Sequence, residues 1–133
     1  MGNYKHDQFV KKSYSSYKNI GSIICPALNN EKINFNKKGF RHLLYKENNR
    51  RHDSQQKRRL KLINYAKMIV EGSNKYSEYR SISSDKDTIH FWSLEKLIEN
   101  SVITLIIRQI NNGPKHFFSI MDKNAKTSQG GLL

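Results

Sequence analysis

The chain has 133 residues, 36% of them hydrophobic, with a formal net charge of +13 and a pI near 9.9. That length suits a single domain with one core, and the charge points to nucleic acid or another acidic partner. A lone cysteine, Cys25, excludes an internal disulfide and a cysteine-based zinc cluster. No run reaches the roughly 20 apolar residues that a membrane-spanning helix needs, and no secretory signal is visible, so a reducing, cytoplasmic setting with no membrane partner is expected.

Residues 1–19 are polar, basic and dotted with tyrosine, without a persistent period, and read as a partly ordered basic arm. Residues 20–122 read as the globular core, and 123–133 as a polar tail. Ile20 to Ile24 is a short edge strand ended by Cys25-Pro26. Asn29-Asn30 is a turn. Glu31 to Asn36 alternates, with Ile33 and Phe35 on one side, as a half-buried strand does. Asn36 then caps a short helix that carries Phe40, Leu43 and Leu44 on one stripe and ends at Asn48-Asn49.

Asp53, with Gln56 three residues on, resembles a capping box that opens the main helix, which is expected to run to Glu71 and stop at Gly72. Arg58 and Arg59 fall on the same arc as Leu62, Ile63, Ala66 and Ile69, one turn earlier, so both are expected at the rim of the core. Lys57 and Lys61 fall outside that arc. Ser73 to Asp87 reads as a surface loop or lid. Ile89 to Leu97, Val102 to Ile110 and His116 to Met121 read as three strands joined by short turns, an antiparallel meander. The expected fold class is α+β, with N-terminal helices packed on an antiparallel sheet made of this meander plus one or two N-terminal strands.

Charge is concentrated between Lys37 and Lys67, where eleven lysines and arginines stand against Glu47 and Asp53. Apolar residues thread this stretch at helical spacing, so its positive field sits on folded structure. The acidic residues are scattered, which argues against the carboxylate cluster of a two-metal nuclease. No histidine pair has metal-ligand company, and no glycine-rich phosphate loop is present; no metal or other cofactor is expected.

What remains is a set of His, Arg, Lys and Ser. RNA carries its own nucleophile in the 2′-hydroxyl. Cleavage then needs a base, an acid and cations around the phosphorus. His42 lies off the apolar stripe of its helix, on plain surface or in a solvent-lined cleft. His116 starts the last strand, as a bland strand end or as a site residue. Arg108 interrupts an apolar strand, where an unpaired charge is costly, and so needs a carboxylate, a phosphate or a route to water. Ser119 faces water or a phosphate oxygen. His6 and His52 read as loop residues, and His90 as a cross-strand partner.

The order IGSI, INFNKKGFRHLLYK, QQKRRLKLINYAKMIV, TIHFWSL, VITLIIRQI and KHFFSIM resembles small phage and mobile-element members of the barnase–EndoU–colicin–RelE-like RNase superfamily, over residues 20–121. The resemblance implies helices packed on an antiparallel sheet, RNA cleavage without metal, and a toxin-like role with an antitoxin or immunity partner. It matches His42 to the family's helix histidine and Ser119 to its last-strand hydroxyl. Where related sequences carry a second basic or histidine position soon after the first, this chain has Lys46 and Glu47, of which Lys46 can substitute.

The expectation is therefore a metal-independent endoribonuclease. His42 and His116 would move protons, with Arg108 and Ser119 beside them in the catalytic set. Arg41, Lys46, Lys57, Arg58, Arg59 and Lys61 would bind the nucleic acid. Two alternatives stand beside it: a non-catalytic RNA- or DNA-binding module, and a phage-type protein-interaction factor.

Overall fold

A computed structural model of the protein describes residues 4–124. It begins with helix α1 (Tyr4–Ile20), where a partly ordered arm was expected. His6, Phe9, Val10, Tyr14 and Tyr17 recur at three- and four-residue spacing and form one stripe. His6 and Tyr17 are buried, and Phe9, Val10 and Tyr14 pack against the core. The stripe is made largely of amphipathic rings, which bury their bodies while keeping a polar tip satisfied.

A hairpin follows, of β1 (Ser22–Cys25) and β2 (Glu31–Asn34), joined by a 3₁₀ turn over Pro26–Leu28. Asn29 and Asn30 take left-handed φ angles of 57° and 61°, which asparagine tolerates better than most residues. Cys25 is a buried thiol in the core, and burial pushes its pKa up.

Helix α2 (Lys37–Leu44) is capped as expected: Asn36 Oδ1 accepts from the Gly39 amide at 3.0 Å. Tyr17 Oη donates to the Asn36 carbonyl at 2.7 Å, so α1 props the start of α2. Gly39 lets α2 approach the sheet closely. A Cβ there would stand 2.6 Å from the Phe117 carbonyl oxygen and 2.7 Å from Tyr17 Oη. The chain then makes a small hairpin, β3 (Tyr45–Lys46) and β4 (Asn49–Arg50), where only a helix end was expected.

The long helix expected from Asp53 to Glu71 is two helices, α3 (Asp53–Leu62) and α4 (Ala66–Gly72), separated by a 3₁₀ turn at Ile63–Tyr65. The change of helix keeps Leu60, Leu62, Ile63, Ala66, Ile69 and Val70 all buried. The cap of α3 is His52, with Gln55 reaching back to its amide, and not Asp53 with Gln56. Gln56 is buried instead. Its Oε1 accepts from His6 Nε2 at 2.7 Å, and its Nε2 donates to the carbonyls of Leu44 and Arg51, each at 3.1 Å. One satisfied amide thus ties α1, the end of α2 and the start of α3 together.

Four strands complete the chain: β5 (Glu78–Ser83), β6 (Thr88–Ile98), β7 (Ser101–Ile110) and β8 (Lys115–Asn124). β5 lies in the stretch read as a loop. The sheet order is β1-β2-β8-β7-β6-β5, antiparallel except for a short parallel pairing of β2 with β8, through Ile33 with Lys115 and Asn34 with His116. The fold is α+β, helices first and strands last, with a mixed six-stranded sheet. Ile103, Leu105 and Ile107 of β7 alternate onto the core, beside Leu94, Phe117 and Ile120. Each such side chain contributes about 1.5–3 kcal/mol on full burial. No helix among the described residues is long and apolar enough to cross a membrane. Most of the expected polar tail, from residue 125 on, lies outside the described residues.

Candidate nucleic-acid cleft at a bulge in the last strand

The pairing of β7 with β8 slips by one residue. Ile106 stands opposite Ser119 and Ile107 opposite Phe117, which leaves Phe118 without a partner. A bulge of this kind bends the strand and re-aims side chains. Phe117 stays in the core, while Phe118 becomes the centre of a polar cluster. His42 stacks on the Phe118 ring at 4.2 Å, the Arg108 guanidinium lies 4.7 Å from its centroid, and Phe91 meets it edge-on at 5.3 Å.

His42, Arg108, His116 and Phe118 line one cavity of about 260 Å³, together with Lys38 and Arg41 at its mouth. Arg108 Nε donates to His116 Nε2 at 2.9 Å. Arg108 has donors only, so His116 Nε2 is the acceptor in this bond and carries no proton there. Burial and then the Arg108 charge hold the His116 pKa below its ordinary range, and Lys38 lowers it further, while a hydrogen bond to the Pro114 backbone opposes them. His42 is pushed down to about 4, first by burial and then by Arg51, Arg59 and Arg108. Among the described residues, neither ring nitrogen of His42 takes part in a hydrogen bond.

Arg59 comes in from α3. Its Nη1 donates to Ser119 Oγ at 2.9 Å and to the Ile120 carbonyl at 3.2 Å. Burial, followed by the charge of Arg51, brings its pKa down to about 10. Arg51 Nε donates to the His42 carbonyl at 3.2 Å, and the side chain lines a second cavity of about 180 Å³ with Arg58, Arg59 and Asp122. Three arginines and two histidines that are far apart in sequence therefore converge on one bulge.

The expected residues divide accordingly. His42, Arg108 and His116 share the cleft, Arg59 and Ser119 adjoin it, and Arg41 lines it with its guanidinium 4.2 Å over the Tyr45 ring. Arg58 does not turn inward with Arg59: its Nε donates to Asp122 at 2.7 Å on the surface. Lys46 is exposed on the β3–β4 hairpin and does not line the cleft. Lys57 lies 5.7 Å over the Phe9 ring, on the α1 side of α3, and Lys61 is exposed. His6 is buried in α1, and not in a loop; His52 caps α3; His90 bonds Tyr79 across the β5–β6 pair.

Two members of the site escaped sequence reasoning. Arg51 looked like one more charge in an RRHD run, and only its bond to the His42 carbonyl distinguishes it. Phe118 read as one of two adjacent apolar residues in a strand, and a bulge leaves no sequence mark of its own here. Among the described residues, no group of three or more His, Cys, Asp or Glu side chains could hold a metal ion. No protein-family model, curated protein or solved structure matches the chain.

Proposed function

We propose that the protein is an endoribonuclease that uses the 2′-hydroxyl of RNA as its nucleophile, with the cleft around Phe118 as its active site. The single observation that carries this reading is the convergence of His42, Arg59, Arg108, His116 and Ser119 at the β8 bulge. A neutral imidazole with a free lone pair, a second imidazole and a set of guanidinium groups make up what in-line cleavage needs.

In this reading His42 takes the 2′-hydroxyl proton. O2′ forms its bond to phosphorus, the bond from phosphorus to O5′ breaks, and the products are a 2′,3′-cyclic phosphate and a 5′-hydroxyl. Arg108 meets the phosphate in the cleft, and Arg59 and Arg51, which line the adjoining cavity, add to the positive field that stabilises the charge growing on its oxygens. The leaving O5′ requires a proton. His116 is the donor, through Nε2: an anion that takes the Arg108 Nε–H releases Nε2 from that bond and offsets the charge that depresses the His116 pKa, so that Nε2 is protonated in the complex and not in the free protein. Ser119 is buried behind the cleft and faces neither water nor a bound phosphate, contrary to expectation; its hydroxyl instead fixes the position of Arg59.

A second reading, a non-catalytic RNA-binding module, draws on one specific observation. His116 Nε2 accepts from Arg108, so neither histidine is an acid in the free protein. That reading predicts binding without turnover. The two separate cleanly when purified protein is incubated with RNA in excess chelator and the ends are analysed. The nuclease reading expects 2′,3′-cyclic phosphate ends from the wild type and none from His42→Ala. Intact RNA that remains bound favours the binding module, and activity that survives alanine at both His42 and His116 removes these residues from the mechanism.

A further inference from the structure

The cleft continues sideways along one row of the sheet. Arg80, Phe91, Arg108 and His116 stand opposite one another on β5, β6, β7 and β8. Cross-strand partners in an antiparallel sheet project from the same face, and the side-chain contacts agree. The Arg80 guanidinium lies 5.2 Å over the Phe91 ring, Phe91 meets Phe118 edge-on, and Arg108 bonds His116. Phe91 is half-buried and Arg80 is exposed on the edge strand.

Phe118 is already engaged by His42 and Arg108, so it serves as the wall of the phosphate cavity. Phe91 is the next ring along, and its covering group is a flexible arginine with no carboxylate partner among the described residues. The guanidinium stands 5.2 Å from the ring centroid, so a planar base stacks on the ring when the Arg80 side chain swings outward and closes over it, as aromatic and arginine planes take bases in single-strand binders.

We propose that Phe91 and Arg80 form a base subsite for the nucleotide beside the phosphate held at Arg108, so that the cleft selects single-stranded RNA. This rests on the reading of the cleft as an RNA site. It adds a geometric demand: the base beside the bound phosphate must swing out of any stack to reach Phe91. In a duplex that base is paired and stacked, and its face is not available to the Phe91 ring.

The test uses a fluorescent RNA strand made uncleavable by 2′-O-methyl groups at every nucleotide, in three forms: single-stranded, annealed to its complement, and abasic throughout. Binding is measured for the wild type, Phe91→Leu and Arg80→Ala, whose folding is checked by thermal melting. Wild-type protein is expected to prefer the single strand to the duplex by about tenfold or more. Phe91→Leu is expected to lose roughly tenfold on the intact strand and nothing further on the abasic strand. Arg80→Ala, on an exposed strand where folding is not at risk, is expected to show the same pattern with a smaller loss. Equal binding of duplex and single strand overturns the proposal, as does a Phe91→Leu loss that persists on the abasic strand. Since no cleavage is read, the base subsite stands or falls separately from the nuclease activity; a protein that binds none of the strands overturns both.

Discussion

Five of the seven arginines fall into two sets that differ in whether they bond a carboxylate, while Arg41 and Arg80 lie over aromatic rings. On the surface, Arg50 donates to Asp53 and Arg58 to Asp122, both carboxylates. In the cleft, Arg51 donates to the His42 carbonyl, Arg59 to Ser119 and the Ile120 carbonyl, and Arg108 to His116. Every acceptor in the second set is neutral. The carboxylate of Asp122 is taken by Arg58 and acts on Arg59 only through space. Burial lowers the pKa of Arg51, Arg59 and Arg108, whereas the bond to Asp53 raises that of Arg50. A surface pair is already complete and contributes little either way. A guanidinium bonded only to neutral groups in a half-buried cleft keeps a charge that no bonded carboxylate offsets. The concentration of charge between Lys37 and Lys67 therefore hides two different devices: a general field, and a small number of cations pointed at one place.

The comparison can be broken most severely at His42, the proposed base. His42→Ala is expected to lower cleavage about 10²- to 10⁴-fold, the usual contribution of a positioned proton-transfer group, with RNA binding kept within a small factor. Loss of binding in step with cleavage would make His42 a structural residue only.

The next largest effect separates the two sets directly. Arg59→Ala is expected to weaken RNA binding roughly ten- to a hundredfold, since hydrogen bonds to charged groups are worth about 1.5–3 kcal/mol. Arg58→Ala, one residue away, is expected to change it by less than about threefold. Equal losses would mean that only net charge matters.

A third effect is on packing. Gly39→Ala forces a Cβ against the Phe117 carbonyl and Tyr17 Oη, and is expected to destabilise the fold by about 1–3 kcal/mol in chemical denaturation. It also displaces α2 and with it His42, so cleavage falls more than RNA binding. An unchanged midpoint would show that α2 is not held against β8 at this point.

The smallest effect is on pH dependence. The folded-state pKa of His42 is about 4, below the roughly 6.5 of an unfolded histidine. The unfolded chain takes up this proton first as pH falls, so stability is full above about pH 6.5 and declines toward pH 4. Arg51→Ala removes one cause of the depression and is expected to make the decline shallower in melting curves taken across that window. A steeper decline would contradict the role given to Arg51.

How much of this was legible beforehand varies by element, for physical reasons. The α2 cap at Asn36, the alternation around Ile33, the three long strands and the helical phase of Arg59 all arise from local pattern, which a single chain displays. So does the oddity of Arg108 in an apolar strand. Helix α1 was missed because three of the five residues of its stripe are His6, Tyr14 and Tyr17, which count as polar until something covers them, and only Phe9 and Val10 mark it as apolar. β5 was missed because all six of its residues are exposed, so no alternation marks it. The break at Ile63–Tyr65 contains neither glycine nor proline. The placement of Arg58 outside and Arg59 inside depends on Asp122, 64 residues away from Arg58, and the site itself depends on a register slip that only the folded sheet contains.

The most direct test of the proposal that the cleft binds an anion is the titration of the His42 imidazole by NMR, in the free protein and with inorganic phosphate added. The account predicts a free pKa near 4 that moves upward with phosphate, because the anion offsets the charges of Arg51, Arg59 and Arg108. A free pKa near the ordinary 6.5, or a depressed value that phosphate leaves unmoved, would contradict it.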